Sequence, residues 1–124
     1  MKLPDAFIEI VKSKGRRLTD LQSQEFAFRR ADALAAIDAL DGSRVAISGC
    51  DVLQDAGRRV EMTGDNWYCN RSINEDPLQY VERSRNLARR YIADSQGNAG
   101  VLYALVLTEL GVTPIFVGEV LEYR

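Results

Sequence analysis

The stretch Arg44-Val45-Ala46-Ile47-Ser48-Gly49-Cys50-Asp51-Val52-Leu53, the punctuation Gln54-Asp55-Ala56-Gly57-Arg58 and the return Arg59 to Tyr68 together decide the fold class. Val45, Ile47 and Gly49 alternate with Ala46, Ser48 and Cys50, a period of two that belongs to a strand. Val60, Met62 and Trp67 carry the return strand, so the segment reads as a β-hairpin. A turn centred on Ala56-Gly57 sets Gly49 opposite Gly64 and Asp51 opposite Met62. Facing glycines weaken a ladder and mark a bulge or a close approach by another group.

Helical patterns flank this hairpin. Leu3, Ala6, Phe7, Ile10 and Val11 recur at helical spacing over Leu3 to Lys14, and Gly15 follows. Leu18-Thr19-Asp20-Leu21-Gln22 reads as a capped turn or one turn of helix. Phe28 to Leu40 repeats Ala31, Leu34, Ala35, Ile37 and Leu40 on one face and ends at Asp41-Gly42. After the hairpin, Asp76-Pro77-Leu78-Gln79 opens another helix, with Asp as N-cap, Pro at the first helical position and Gln reaching back. Its apolar stripe is Tyr80, Val81, Ser84, Leu87, Ala88, Tyr91 and Ile92; Glu82, Arg83, Arg85, Arg89 and Arg90 form the other face, and Gln96-Gly97-Asn98 stops it. Val101 to Thr108 is almost continuously apolar, as in a strand covered on both faces. Val112 to Tyr123 has β-type residues but also Pro114 and Gly118, which makes it an edge strand or a loosely paired arm. The expected fold is α+β: two N-terminal helices, a hairpin, a helix, a strand beside the first strand through a crossover, and an extra C-terminal edge strand, in a small mixed sheet.

The chain has 124 residues and 13.9 kDa, enough for one domain spanning 1–124. Sixteen basic against 18 acidic residues give a net charge of −2, which excludes a generally basic nucleic-acid binder. No run approaches the ~18 apolar residues of a membrane span. Asp5 interrupts the N-terminus before any apolar core, unlike a signal peptide, so a cytoplasmic location is expected. Histidine is absent. Most acid–base and triad mechanisms thereby lose their usual player, and a catalytic zinc site would have only two Cys and carboxylates. No cofactor motif or metal-ligand spacing is present.

Asp51 and Asp65 invite a general acid/base reading. The expected register opposes it by sending the two side chains to different faces, although a single bulge would reverse that. In the alternative, Asp65-Asn66 bonds the backbone and holds an irregular strand end. Cys50 and Cys69 fall about 20 Å apart at ~3.3 Å per residue, too far for a disulfide. Without a histidine partner they read as packed thiols. Trp67 and Tyr68 point to opposite faces, one towards the core and one towards the surface. An exposed aromatic beside Asp and Asn suits a recognition patch, and rings capping hydrophobic layers suit the same residues. Arg83, Arg85, Arg89 and Arg90, with Arg58 and Arg59 at the turn, lack an anion loop and read as a solvated face.

Leu3-Pro4-Asp5-Ala6-Phe7-Ile8, Leu18-Thr19-Asp20-Leu21 and Ala33-Leu34-Ala35-Ala36-Ile37 are similar to the first half of the immunity protein 40 family. Gly49-Cys50-Asp51-Val52, Asp65-Asn66-Trp67-Tyr68-Cys69 and the Ser84…Ala88…Tyr91-Ile92 helix resemble its central signature. The resemblance covers roughly residues 3 to 108. Cys50 stands where the family usually has a second glycine, and residues 109–124 extend beyond its typical end. The resemblance implies a small cytoplasmic α+β protein, encoded beside a bacterial polymorphic toxin, that neutralises this cognate toxin domain by binding it. On that reading Asp51, Asp65, Asn66, Trp67 and Tyr68 border the toxin-binding surface, with no catalysis, cofactor, metal, nucleic acid or membrane involved. The Arg-bearing helix or the C-terminal edge is the competing surface, and the chain is a monomer or an edge-strand homodimer. Two other classes remain open: a small hydrolase-like enzyme using Asp51 and Asp65, and a nucleic-acid module using the arginines.

Overall fold

A computed structural model describes residues 3–95 and 99–122. Helix α1 spans Asp5–Lys14 and α2 spans Arg30–Asp38. Strands β1 (Arg16–Arg17) and β2 (Phe26–Phe28) lie between them, with a 3-10 turn at Thr19–Leu21. The hairpin is β3 (Val45–Asp55) and β4 (Val60–Tyr68), followed by α3 (Pro77–Ala93), β5 (Val101–Glu109), β6 (Thr113–Ile115) and α4 (Val117–Glu122). The class is α+β, as expected. The sheet runs β1-β2-β5-β3-β4, with β6 also on β5. Every pairing among the described residues is antiparallel, whereas a mixed sheet was expected. The crossover returns β5 to the side of β3, against which it runs antiparallel.

Two expectations about elements change. Phe28 belongs to β2, not to the following helix, because Ala27 and Phe28 pair with Ala104 and Tyr103 of β5. Phe26 and Phe28 thereby enter the main core while Ala27 faces the other side of the sheet. The C-terminal arm pairs only through Thr113, Pro114 and Ile115, and then becomes helix α4, whose Gly118 N–H donates to the Gln24 carbonyl at 2.9 Å. Pro114 is tolerated because β6 is a short flanking strand. The expected helix stop at Gln96-Gly97-Asn98 lies outside the described residues, as does Tyr123 of the arm.

Helices α1, α2 and the second half of α3 cover one sheet face. Phe7, Ile8, Val11, Ala33, Ile37, Ala88 and Ile92 meet Ile47, Cys50, Val52, Tyr103, Leu105 and Leu107 there. On the other face Leu18 packs onto Ala27, Leu53, Val60, Leu102 and Ala104, with Leu21 beside them. That face carries the 3-10 turn at Thr19–Leu21, and the start of α3 reaches it at Ala46, on which Tyr80 and Val81 pack.

Helix α3 starts as its sequence dictates: the Asp76 carboxylate accepts from the Leu78 and Gln79 amides at 3.0 and 3.2 Å, and Pro77 fills the first turn. Its basic face is not simply solvated. Arg85 is buried and donates to the Leu40 and Ser43 carbonyls where the chain leaves α2. Arg89 bonds Asp38 and Asp41 at 2.7 and 2.6 Å. Arg83 clasps Glu75 at 2.7 and 2.8 Å and reaches the Asn70 carbonyl at 2.8 Å. These guanidiniums fasten α3 to its neighbours; Arg85 adds a charged donor to a Leu40 carbonyl that also accepts from the Ser43 amide at 3.0 Å and hydroxyl at 2.6 Å.

The hairpin register also differs. Asp55 pairs with Val60 and Leu53 with Met62, so the turn lies one residue later than expected. Gly57 takes φ +92° there, and its amide donates to Asp55 Oδ1 at 3.0 Å. The register then shifts, and Asp51 pairs with Asn66 and Gly49 with Tyr68. Val52 alone stands against Thr63-Gly64-Asp65, a bulge in which Gly64 has φ +86°. Thr63 Oγ1 donates to the Val52 carbonyl at 2.7 Å and accepts from the Asp65 amide at 3.1 Å. Gly49 therefore does not face Gly64, nor Asp51 face Met62; each glycine sits at its own irregularity, since β3 also shifts register against β5 between Ile47 and Gly49. Cys69 lies beside Ser48, to whose carbonyl it donates at 3.0 Å, and not opposite Arg44.

Candidate functional site

Strand β4 ends the sheet, and almost all of it is exposed. Its alternation divides the candidate residues into two groups. Asn66 pairs with Asp51, which pairs in turn with Ala104, and Ala104 belongs to the face opposite the main helical layer. Tyr68 pairs with Gly49, which pairs with Val106. Asp51, Asn66 and Tyr68 thus share the open face. Tyr68 is 70% exposed there, with Val106 and Met62 also exposed. Gly49 allows the close approach of the β4 backbone: a Cβ at 49 would stand 2.9 Å from the Trp67 carbonyl, while the Tyr68 ring at 3.5 Å would be in ordinary contact.

Trp67 and Asp65 belong to the other side. Trp67 is half-buried and stacks on Tyr91 of α3 with ring centroids 6.0 Å apart. Burial pushes the Tyr91 phenol up, and the charges of Cys50 and Asp65 push it further, which places Asp65 by the same ring. A shallow groove there is lined by Trp67, Leu87, Arg90, Tyr91, Asp94 and Ser95. Trp67 inward and Tyr68 outward is the division expected from their adjacency.

Asp51 and Asp65 also lie on opposite faces, as expected, even though the expected register was wrong. The later turn and the bulge each displace the pairing by two residues, and two residues preserve a strand's parity. The pair forms no common cleft, which leaves the acid/base reading of these two carboxylates without a shared substrate position.

A carboxylate that sequence reasoning missed does accompany Asp51. Glu25 precedes β2, and burial pushes its carboxyl up to about 7; the Val117 amide, which hydrogen-bonds it, opposes the rise, and the charge of Asp51 adds to it. Its Oε2 is shielded from solvent and has no hydrogen-bond partner. Shielding of that carboxylate from solvent is the main cause of the rise. Nothing in Ser23-Gln24-Glu25 marks this in the sequence; the position follows from β2 and α4 meeting along β5.

The cysteines are both free and buried. Burial pushes the Cys50 thiol up to about 12, and the Asp51 charge adds to this, so Cys50 is a poor nucleophile. Cys69 is also raised, chiefly by burial, against the pull of Arg83. Among the described residues no group of three or more Cys, Asp and Glu has a metal-binding arrangement, and no helix is long and apolar enough to cross a membrane.

The family model described as Immunity protein 40 matches residues 17–107, from β1 through most of β5. The match takes in every candidate residue on the hairpin. It leaves out α1, which carries the opening Leu3–Ile8 similarity, and the β6–α4 arm. Among curated proteins and solved structures none matches the chain.

Proposed function

The chain belongs to the immunity protein 40 family, and from that premise we propose that it binds and neutralises a cognate toxin domain encoded beside it, by direct contact. The observation that supports this reading most is the outer end of the hairpin. There an exposed tyrosine, an asparagine and an acid share one open sheet face, held in place by a packed core behind them. Such a surface presents an aromatic anchor, polar groups that fix orientation, and negative charge that speeds capture of a basic partner. Trp67 and Asp65 border the same strand from the helix side, so the five candidates ring the end of β4 and do not form one patch. A toxin element seated on this end would meet Tyr68 and Asn66 first. The arginines are a weaker docking surface, because Arg83, Arg85 and Arg89 are committed to internal carbonyls and carboxylates.

The test is co-expression with the toxin domain encoded immediately upstream, scored by survival and by co-purification, followed by single substitutions. Tyr68→Ala is expected to weaken the complex by about 2 kcal/mol or more, near thirtyfold, with the fold intact. Unchanged affinity in Asp51→Ala, Asp65→Ala, Asn66→Ala, Trp67→Ala and Tyr68→Ala, with all five folded, would remove this surface from the reading.

A further inference from the structure

The free edge of β4 is interrupted by a cap and a bulge, and its longest open stretch lies at its outer end. Cys69 N–H donates to the Ser48 carbonyl, which makes that rank a hydrogen-bonded one. Antiparallel alternation then makes Gly49/Tyr68 and Asp51/Asn66 the ranks that do not bond each other. The N–H and C=O of both Tyr68 and Asn66 consequently point away from β3. At the other end of the strand the Ala56 N–H bonds the Arg59 carbonyl, so the same logic turns the Val60 and Met62 ranks outward; Asp20 Oδ2 accepts the Val60 N–H at 3.0 Å, and Met62 is a single rank between that cap and the bulge. Between the two ends, the Thr63–Asp65 bulge breaks the edge and uses Thr63 Oγ1 to hold the Asp65 amide. Past Tyr68 the chain is clamped again, by the Tyr80 hydroxyl on the Cys69 carbonyl at 2.5 Å and by Arg83 on the Asn70 carbonyl.

Soluble proteins cap, bulge or charge their edges to avoid unwanted pairing. Here a cap, a bulge and two side-chain clamps bracket one short opening, Asn66-Trp67-Tyr68. We propose that this opening is a docking edge: a short extended segment of the toxin adds to the sheet beside Asn66–Tyr68, with a Lys or Arg among its side chains. This rests on the immunity reading above. Two backbone donors and two acceptors supply the pairing, and alternate side chains of the added strand fall towards Tyr68 and towards Trp67. Charge decides the occupant. Near the opening the strand carries Asp65 and no basic residue, with Asp51 one strand behind; the more distant Glu61 is already paired with Arg59 at 3.2 Å. A second copy paired antiparallel about Trp67 would set Asp65 beside Cys69 with no basic residue to meet it, whereas a basic segment would bring the opposite charge.

Residue-resolved amide exchange on the purified complex with a catalytically inactivated toxin domain tests this. The Asn66 and Tyr68 amides, open in the free protein, are expected to slow at least about 100-fold in the complex, while the already bonded Trp67 amide changes less. Asn66→Pro, which deletes one outward donor at an edge position that tolerates proline, is expected to cost about tenfold or more in affinity. If that variant fails to fold, the exchange measurement on the wild-type chain decides alone. A stable complex in which both amides exchange as they do in the free chain overturns the docking edge and leaves the immunity role standing. Protection that grows with concentration of this chain alone assigns the edge to a homodimer and overturns it too. No complex with the wild-type chain removes the immunity reading and this inference together.

Discussion

Replacing Glu25 by Gln should remove a pH-dependent loss of stability. In the folded chain burial lifts this carboxyl from its ordinary 4.5 to about 7. The native state therefore holds a proton that the unfolded chain releases at lower pH. Stability falls as pH rises between these values and levels off above about 7. A shift of that size corresponds to about 3 kcal/mol, and solvent screening at a half-buried site reduces it to about 1–2 kcal/mol. Gln is nearly isosteric with the protonated acid, keeps an oxygen for the Val117 amide, and does not ionise. Urea unfolding of both proteins from about pH 5 to about pH 8.5 isolates the effect, because contributions from other titrating groups cancel in the difference. Wild type should lose about 1–2 kcal/mol relative to Glu25→Gln across that range. A difference that stays constant within about 0.3 kcal/mol would refute the claim that Glu25 is forced to ionise in a buried position.

Three further outcomes follow from the packing. Arg85→Ala leaves the Leu40 carbonyl without its charged donor and should cost about 2–3 kcal/mol in urea unfolding. Asp76→Ala removes the cap of α3 and should cost about 1 kcal/mol by the same assay. Alkylation of the native protein with iodoacetamide, followed by mass spectrometry, should label Cys69 before Cys50. The Cys50 thiol is pushed to about 12, whereas Arg83 partly offsets the rise at Cys69.

Much of the architecture was legible where local chemistry and tertiary packing agree. Asp76-Pro77 announced α3, alternation announced both arms of the hairpin, and an unbroken apolar run announced β5. Strand β2 was missed because three residues carry too little period to compete with an adjoining alanine-rich helix, and only pairing with Ala104 and Tyr103 makes Phe26–Phe28 a strand. Arg85 was read as solvated because its place on the helix says nothing of the carbonyls that α2 leaves facing it. The expected hairpin register differs because it centres the turn on Ala56-Gly57, one residue early, and because no local signal shows that the left-handed backbone of Gly64 serves a bulge of its own. Of the site, the division between Trp67 and Tyr68 needed only parity. The Glu25–Asp51 neighbourhood needed the meeting of β2, β5 and α4, which no sequence window contains.

The extra residues opposite Val52 have a consequence for how such a hairpin can diversify. Gaining or losing two residues at Thr63-Gly64-Asp65 would slide the outer end along its neighbour without exchanging which side chains look inward. Gaining or losing one would turn Trp67 out to water and Tyr68 into the helical layer. Length changes in this loop should therefore survive in steps of two. Steps of two change how far the aromatic tip projects while the stacked tryptophan behind it stays in place.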